Sequence, residues 1–160
     1  MSNIDSDTAF LLRAVALSRE YMSRGDGGPF GAVVVWNGRI IAEGWNQVTS
    51  SNDPTAHAEI VAIRRAAAAM ARFSLEGATI YASCEPCPMC LAAIYWARLD
   101  RLVFASSRIE AAAIGFDDDL IYREIGKPLD GRGLPTTHLP LAEARAVFDD
   151  WLRKPDRVPY

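Results

Sequence analysis

The sequence predicts an α/β domain in which helices cover both faces of a mixed sheet, and three observations carry the prediction. FGAVVVW and RIIAEGW, two β-branched runs, are joined by Asn37-Gly38, a dipeptide that turns an antiparallel hairpin. ATIYAS, PCPMCLAAIYWAR and RLVFAS follow one another as strand, helix and strand, and such a crossover pairs its strands in parallel. Half of the 160 residues are apolar, which suffices for one core. The expectation is a single domain over residues 1–160 with a three-layer α/β/α architecture and a mixed central sheet.

Each element has its own signal. Ser6 or Asp7 is placed to cap a first helix, in which Phe10, Leu11, Val15, Leu17 and Tyr21 recur near helical spacing; Gly25 stops it. The hairpin follows the GDGG turn, and NQVTSSNDPTA reads as a loop. HAEIVAIRRAAAAMARF has the alanine, isoleucine and arginine content of a helix, and PCPMCLAAIYWAR is a helix with proline in its first turn. Further on, IEAAAIGFDDDLIYREIGKP holds a short helix, and LPLAEARAVFDDWLRK forms a last amphipathic helix from Pro140. No repeat, low-complexity tract or linker interrupts the chain.

Composition narrows the function. Net charge is −3 and the pI is near 5.4, whereas a surface that grips phosphate backbones is usually basic, so nucleic acid is not the expected partner. Arg153, Lys154 and Arg157 read as a solvated helix end. Apolar runs such as residues 30–36 and 66–71 fall well short of the roughly 20 apolar residues that span a bilayer, and no membrane partner is expected. The polar, acidic start MSNIDSD does not read as a targeting peptide, which makes a cytoplasmic, reducing location the expectation.

In such a compartment three cysteines within seven positions, Cys84, Cys87 and Cys90, point to metal or catalysis and not to disulfides. Cys87 and Cys90, three apart on the first turn of a helix, face the same side, and the helix N-terminus favours their thiolates. His57, one of two histidines, stands at another expected helix start and supplies a third donor. Three donors leave zinc one open position for water, the mark of a catalytic site. Two thiolates cancel the ion's charge and acidify that water less, so a neighbouring base is needed; Glu59 suits the task if the helix is only beginning there. The pairing of His57-Ala58-Glu59 with Pro86-Cys87-Pro88-Met89-Cys90 matches the signature of zinc deaminases acting on bases.

Other readings stand beside this one. Cys84 could close a structural Cys3His site, although Glu59 would then have no role; it otherwise reads as a small buried residue ending a strand. Cys87 and Cys90 could be a redox pair, which needs no His-x-Glu elsewhere. His138 reads as an ordinary histidine.

The chain resembles the cytidine and deoxycytidylate deaminase superfamily and, within it, the small zinc-type bacterial guanine deaminases. GGPFGAVVV, IIAEGWN, SNDPTAHAEI, SCEPCPMCLAAIYWAR, GFDDDLIYREI and the terminal tyrosine carry the likeness from the first helix to the last residue. PTAHAE and Pro-Cys-x-x-Cys occur in tRNA adenosine deaminases as well; IYWAR, GFDD and Tyr160 lean towards guanine. The resemblance implies a cytidine deaminase-like fold with one Zn2+ per subunit on His57, Cys87 and Cys90, and Glu59 as proton shuttle. It implies that Phe30, Asn46, Ala58 and Trp96 line the base pocket, that Asp118 faces the substrate's edge and assists a proton transfer, and that the tail, about residues 154–160, brings Tyr160 over an active site. It also implies a homodimer with exchanged C-terminal segments, although the tail RKPDRVPY shares with the family only its last residue and its basicity. The implied reaction is hydrolysis of guanine to xanthine and ammonia. Guanosine, cytosine, isocytosine or an aminotriazine remain alternative substrates, a tRNA adenosine is a further one, and a zinc-stabilised fold without activity is a reading of another class.

Overall fold

The computed structural model describes residues 3–160; Met1 and Ser2, where the polar N-terminal stretch begins, lie outside it. The chain forms two compact units, Met1–Asp118 and Asp119–Tyr160.

In the first unit, helix α1 (Asn3–Ser23) precedes strands β1 (Gly31–Trp36) and β2 (Arg39–Trp45), a one-turn helix α2 (Val48–Ser51) and helix α3 (Ala58–Met70). Strand β3 (Ala78–Cys84), helix α4 (Pro88–Trp96), strand β4 (Arg101–Ser106) and helix α5 (Arg108–Ala113) complete it. The strands lie in the order β2-β1-β3-β4. β1 is antiparallel to β2 and to β3, while β3 and β4 run parallel across α4, as the two sequence signals predict. Asn37 and Gly38 both take positive φ, 49° and 72°, the twist a two-residue hairpin requires. Between Val34 and Val35 the register with β2 shifts: Val34 faces Ala42 and Val35 faces Ile40, so Ile41 is bulged.

Alternation along β1 explains the layers. Ala32 and Val34 point into a core with Ala58, Ala62 and Ala66 of α3 and Ile94 of α4. Val33 and Val35 point to the other face, where Leu17, Phe10, Leu11 and Tyr21 of α1 pack. Covered on both sides, β1 is buried over its first five residues and reads as a continuous apolar run. Two glycines set how closely the helices approach. A Cβ on Gly31 would stand 2.2 Å from the Ala14 carbonyl oxygen of α1, and one on Gly44 would stand 2.2 Å from the Ala58 carbonyl oxygen of α3.

The ends of α1 differ from expectation at one terminus. Gly25 (φ 83°) closes the helix: its N–H donates to the Met22 carbonyl, and the Asp26 N–H to that of Tyr21. Ser6 and Asp7, expected as caps, lie inside α1. Asp7 instead accepts from Arg101 of β4 at 2.9 and 2.7 Å and from the Tyr81 hydroxyl of β3 at 2.6 Å, a contact between distant segments that outweighs its capping preference. The segment read as a loop contains α2, and α5 is launched by a Ser107–Glu110 capping box that Ser-x-x-Glu spacing announces.

The second unit holds α6 (Asp119–Ile125), a 3-10 turn (Leu129–Gly131) and α7 (Ala142–Arg153). The stretch expected to hold one short helix therefore contributes both α5 and α6. Helix α7 starts two residues after Pro140, with Leu141 at its N-cap. No residue of this unit is buried, and Val147, Phe148 and Leu152 of α7 are each more than 60% exposed. Among the described residues no helix is long and apolar enough to cross a membrane.

Candidate metal centre

Two helix starts converge beyond the carboxyl end of β3. His57 is the N-cap of α3 and Cys87 the N-cap of α4, both with extended backbone, and Cys90 sits in the first turn of α4. Because His57 precedes the helix proper, it and Glu59 escape the opposed directions that two-residue spacing imposes inside a helix. The His57 Nδ1 atom lies 3.6 Å from Cys87 Sγ and 3.5 Å from Cys90 Sγ. A tetrahedral zinc with Zn–S of about 2.3 Å and Zn–N of about 2.0 Å separates its nitrogen and sulfur ligands by about 3.5 Å, so the two separations match what zinc would require. All three donor atoms lie within 4.8 Å of one another. The donor set fits zinc, with one ligand position left for a non-protein group.

Electrostatics agree with a thiolate site. The Cys87 thiol is pulled down to about 4, first by a hydrogen bond from Cys90, and against burial it is helped further by His57. Cys90 is pushed up by that same bond, by burial and by the charge of Glu59. His57 is raised by its contact with the Cys87 sulfur. Glu59 is 7% exposed, its Oε2 lies 3.5 Å from Cys90 Sγ, and burial pushes its carboxyl up. Cys84 does not join this cluster; its sulfur faces the Ser107 carbonyl at 3.7 Å, and burial raises its thiol to about 11. That is the small buried residue that sequence reading allowed.

The expected pocket residues divide into groups. Ala58 and Asn46 are buried beside the start of α3 and the end of β2. The Asn46 Oδ1 atom accepts from the Gly28 N–H at 3.1 Å and the Val48 N–H at 3.2 Å. Both acceptor directions are engaged, so the side chain offers its NH2 group alone, where the sequence had suggested both donor and acceptor. Phe30 packs edge-on against Phe116, centroids 4.9 Å apart. Asp118 is half-buried and its carboxyl is raised by burial and by the negative charge of Cys87. Trp96, by contrast, is the last residue of α4, roughly 12 Å along the axis from the Cys87 end, and is 63% exposed. Within this chain it does not reach the metal ligands. Tyr160 is 76% exposed and belongs to the second unit.

Sequence reading named Phe30 as a pocket residue but missed the others that line a cavity beside it. A space of about 150 Å³ is bounded by Pro29, Phe30, Ser83, Cys84, Ser106, Glu110, Ala111 and Ile114. Its floor is the paired ends of β3 and β4, which Glu85 ties together: its N–H donates to the Ser106 carbonyl, and its carboxylate accepts from the Arg108 N–H at 3.0 Å. Serines at the carboxyl ends of two parallel strands were the available signal.

Comparison with known proteins follows the same lines. Residues 4–106 match the family described as the cytidine and deoxycytidylate deaminase zinc-binding region. The chain is 50% identical over 151 residues to the guanine deaminase of Bacillus subtilis, covering 94% of this chain and 97% of that one. The X-ray structure of guanine deaminase from Bacillus subtilis superposes with a TM-score of 0.94 at 48% identity, over 100% of this chain and 99% of the other. A tRNA-specific adenosine deaminase of Haemophilus influenzae is 47% identical, over 56% of each chain.

Proposed function

The chain belongs to the cytidine and deoxycytidylate deaminase zinc-binding family, and we propose that it hydrolyses guanine to xanthine and ammonia. One observation carries the choice of guanine within the family: likeness to the Bacillus subtilis guanine deaminase extends over 94% of the chain, whereas likeness to the Haemophilus influenzae tRNA-specific enzyme covers 56%.

His57, Cys87 and Cys90 would hold the zinc, which supplies the Lewis acidity that makes water a nucleophile near neutral pH. Glu59, buried and 3.5 Å from Cys90 Sγ, is the base of the reaction. It takes one proton from the attacking water and delivers it to the ring nitrogen beside the amino-bearing carbon. It then moves the second proton to the amine, and the C–N bond breaks to release ammonia. Phe30 stacks on the base, Ala58 forms part of the wall, and the Asn46 NH2 donates to an acceptor on the base edge. Asp118 faces the edge and assists proton transfer; its raised carboxyl accords with that.

The chain is read as one deaminase domain that works as a homodimer with exchanged C-terminal segments, residues of about 154–160 bringing Tyr160 over an active site. What supports this is the second unit, where nothing is buried and α7 leaves an apolar side open to solvent. An exposed Trp96 at the far end of α4 is then read as lining a partner's pocket. A small neutral base suits the acidic run of residues 117–119 better than a phosphate-bearing polymer does. The setting is cytoplasmic purine metabolism. Steady-state ammonia release with guanine tests the activity, and light scattering on the purified protein tests the dimer; no turnover of guanine, or a monomeric mass, would overturn the respective reading.

A further inference from the structure

Next to Asn46 stands a column of four side chains drawn from different elements. The rings of Tyr21 (α1) and Trp45 (β2) are stacked, with centroids 3.5 Å apart and planes at 4°. The Arg65 guanidinium of α3 lies 4.3 Å from the Trp45 ring, and that of Arg24 lies 4.9 Å from the Tyr21 ring. Each ring gives one face to its aromatic neighbour, so the two cations occupy the outer faces, an arrangement that cation–π attraction stabilises at both ends. The column fixes the plane of the indole, and the indole N–H donates to Asp26 Oδ2 at 2.9 Å.

Asp26 governs the glycine loop. Its own carbonyl accepts from the Ser50 N–H at 3.2 Å and the Thr49 hydroxyl at 3.1 Å, tying α2 to the loop. Two residues on, the Gly28 N–H reaches Asn46 Oδ1. Between them Gly27 lies so close that a Cβ would stand 2.3 Å from Asn46 Oδ1 and 2.4 Å from its carbonyl oxygen. Two N–H donors on one side of the amide decide which way it points: reversed, the NH2 group would meet two other N–H groups.

We infer that Trp45 and Asp26 are positioning residues for Asn46, the indole–carboxylate bond holding the glycine loop so that Gly28 and Val48 lock the Asn46 amide with its NH2 towards the base. This rests on the reading of Asn46 as a pocket residue. Trp45→Phe keeps an aromatic ring in the column and removes the N–H. Its expected effect is a fall of about five- to twentyfold in kcat/KM, through KM with kcat nearly unchanged, as loss of uniform binding gives. Zinc content stays stoichiometric. Asp26→Ala gives the same defect, and Asp26→Asn, which retains an acceptor for the indole, restores kcat/KM to within about twofold. In an Asn46→Ala background Trp45→Phe changes kcat/KM by less than about twofold, because the residue it acts through is gone. An equal fall in both backgrounds, an Asp26→Asn enzyme as poor as Asp26→Ala, or zinc lost from Trp45→Phe would overturn the inference. Failure of the guanine reading shows separately, as absent guanine turnover by the unaltered protein, and the cycle is then run on the base that is turned over.

Discussion

His57 Nδ1 and Cys90 Sγ, 33 residues apart in the chain, lie 3.5 Å from each other. That separation is what one tetrahedral ion imposes on an imidazole and a thiolate. The glutamate two residues after the histidine lies just as close to the same sulfur. On the proposed mechanism, metal ligation and proton transfer fall to neighbouring side chains that can be removed one at a time.

Glu59→Ala is expected to keep one zinc per chain and to lower kcat by about a thousandfold or more, the scale of a lost general base. Metal analysis together with single-turnover kinetics checks both halves. Substantial turnover with full zinc would remove Glu59 from its assigned role.

Cys87→Ala is expected to lose the metal itself. In the unaltered protein, zinc binding must displace the protons of its thiol ligands, so affinity rises with pH. Competition against a chelator at pH 6 and pH 8 measures this; affinity independent of pH would contradict thiolate ligation.

Gly44→Ala and Gly31→Ala are expected to separate folding from function. Each inserts a Cβ 2.2 Å from a helix carbonyl and should cost about 1–3 kcal/mol or more in urea unfolding. Only Gly44 presses on Ala58, between His57 and Glu59, so only Gly44→Ala should also weaken zinc binding. Equal zinc affinity in the two variants would sink this distinction.

Tyr81 gives the fold an alkaline limit. Burial first, and then its bond to Asp7, raise its hydroxyl from 10.0 to about 12. A raised folded-state value means the stabilisation is complete below pH 10 and is lost as pH climbs towards 12. Each tenfold difference in proton affinity between the folded and unfolded chain is worth about 1.4 kcal/mol, so about 2 kcal/mol should disappear between roughly pH 10 and pH 12. Tyr81→Phe should flatten that slope when urea midpoints are compared across the window; an unchanged slope would refute the assignment.

What could be read from sequence was local. Asn37-Gly38 specifies its own turn, and a Pro-Cys-x-x-Cys run brings two sulfurs to one side of a helix start whatever surrounds it. Misreadings arose where a distant partner decides. Asp7 looked like a cap because its partner, Arg101, is 94 residues away. Asn46 looked able to donate and accept because one of its two N–H partners, Gly28, lies 18 residues away in the chain. The bulge at Ile41 leaves no compositional mark.

Ammonia release by the zinc-loaded protein, across guanine, guanosine, cytosine, cytidine, isocytosine and an adenosine-containing tRNA stem-loop, is the first measurement to make. Guanine is expected to lead in kcat/KM by about tenfold or more, since a site built to hydrogen-bond one base edge rejects others. A different small base in first place would leave the zinc chemistry standing and contradict the assignment of the pocket to guanine; no ammonia from any of them would contradict the deaminase itself.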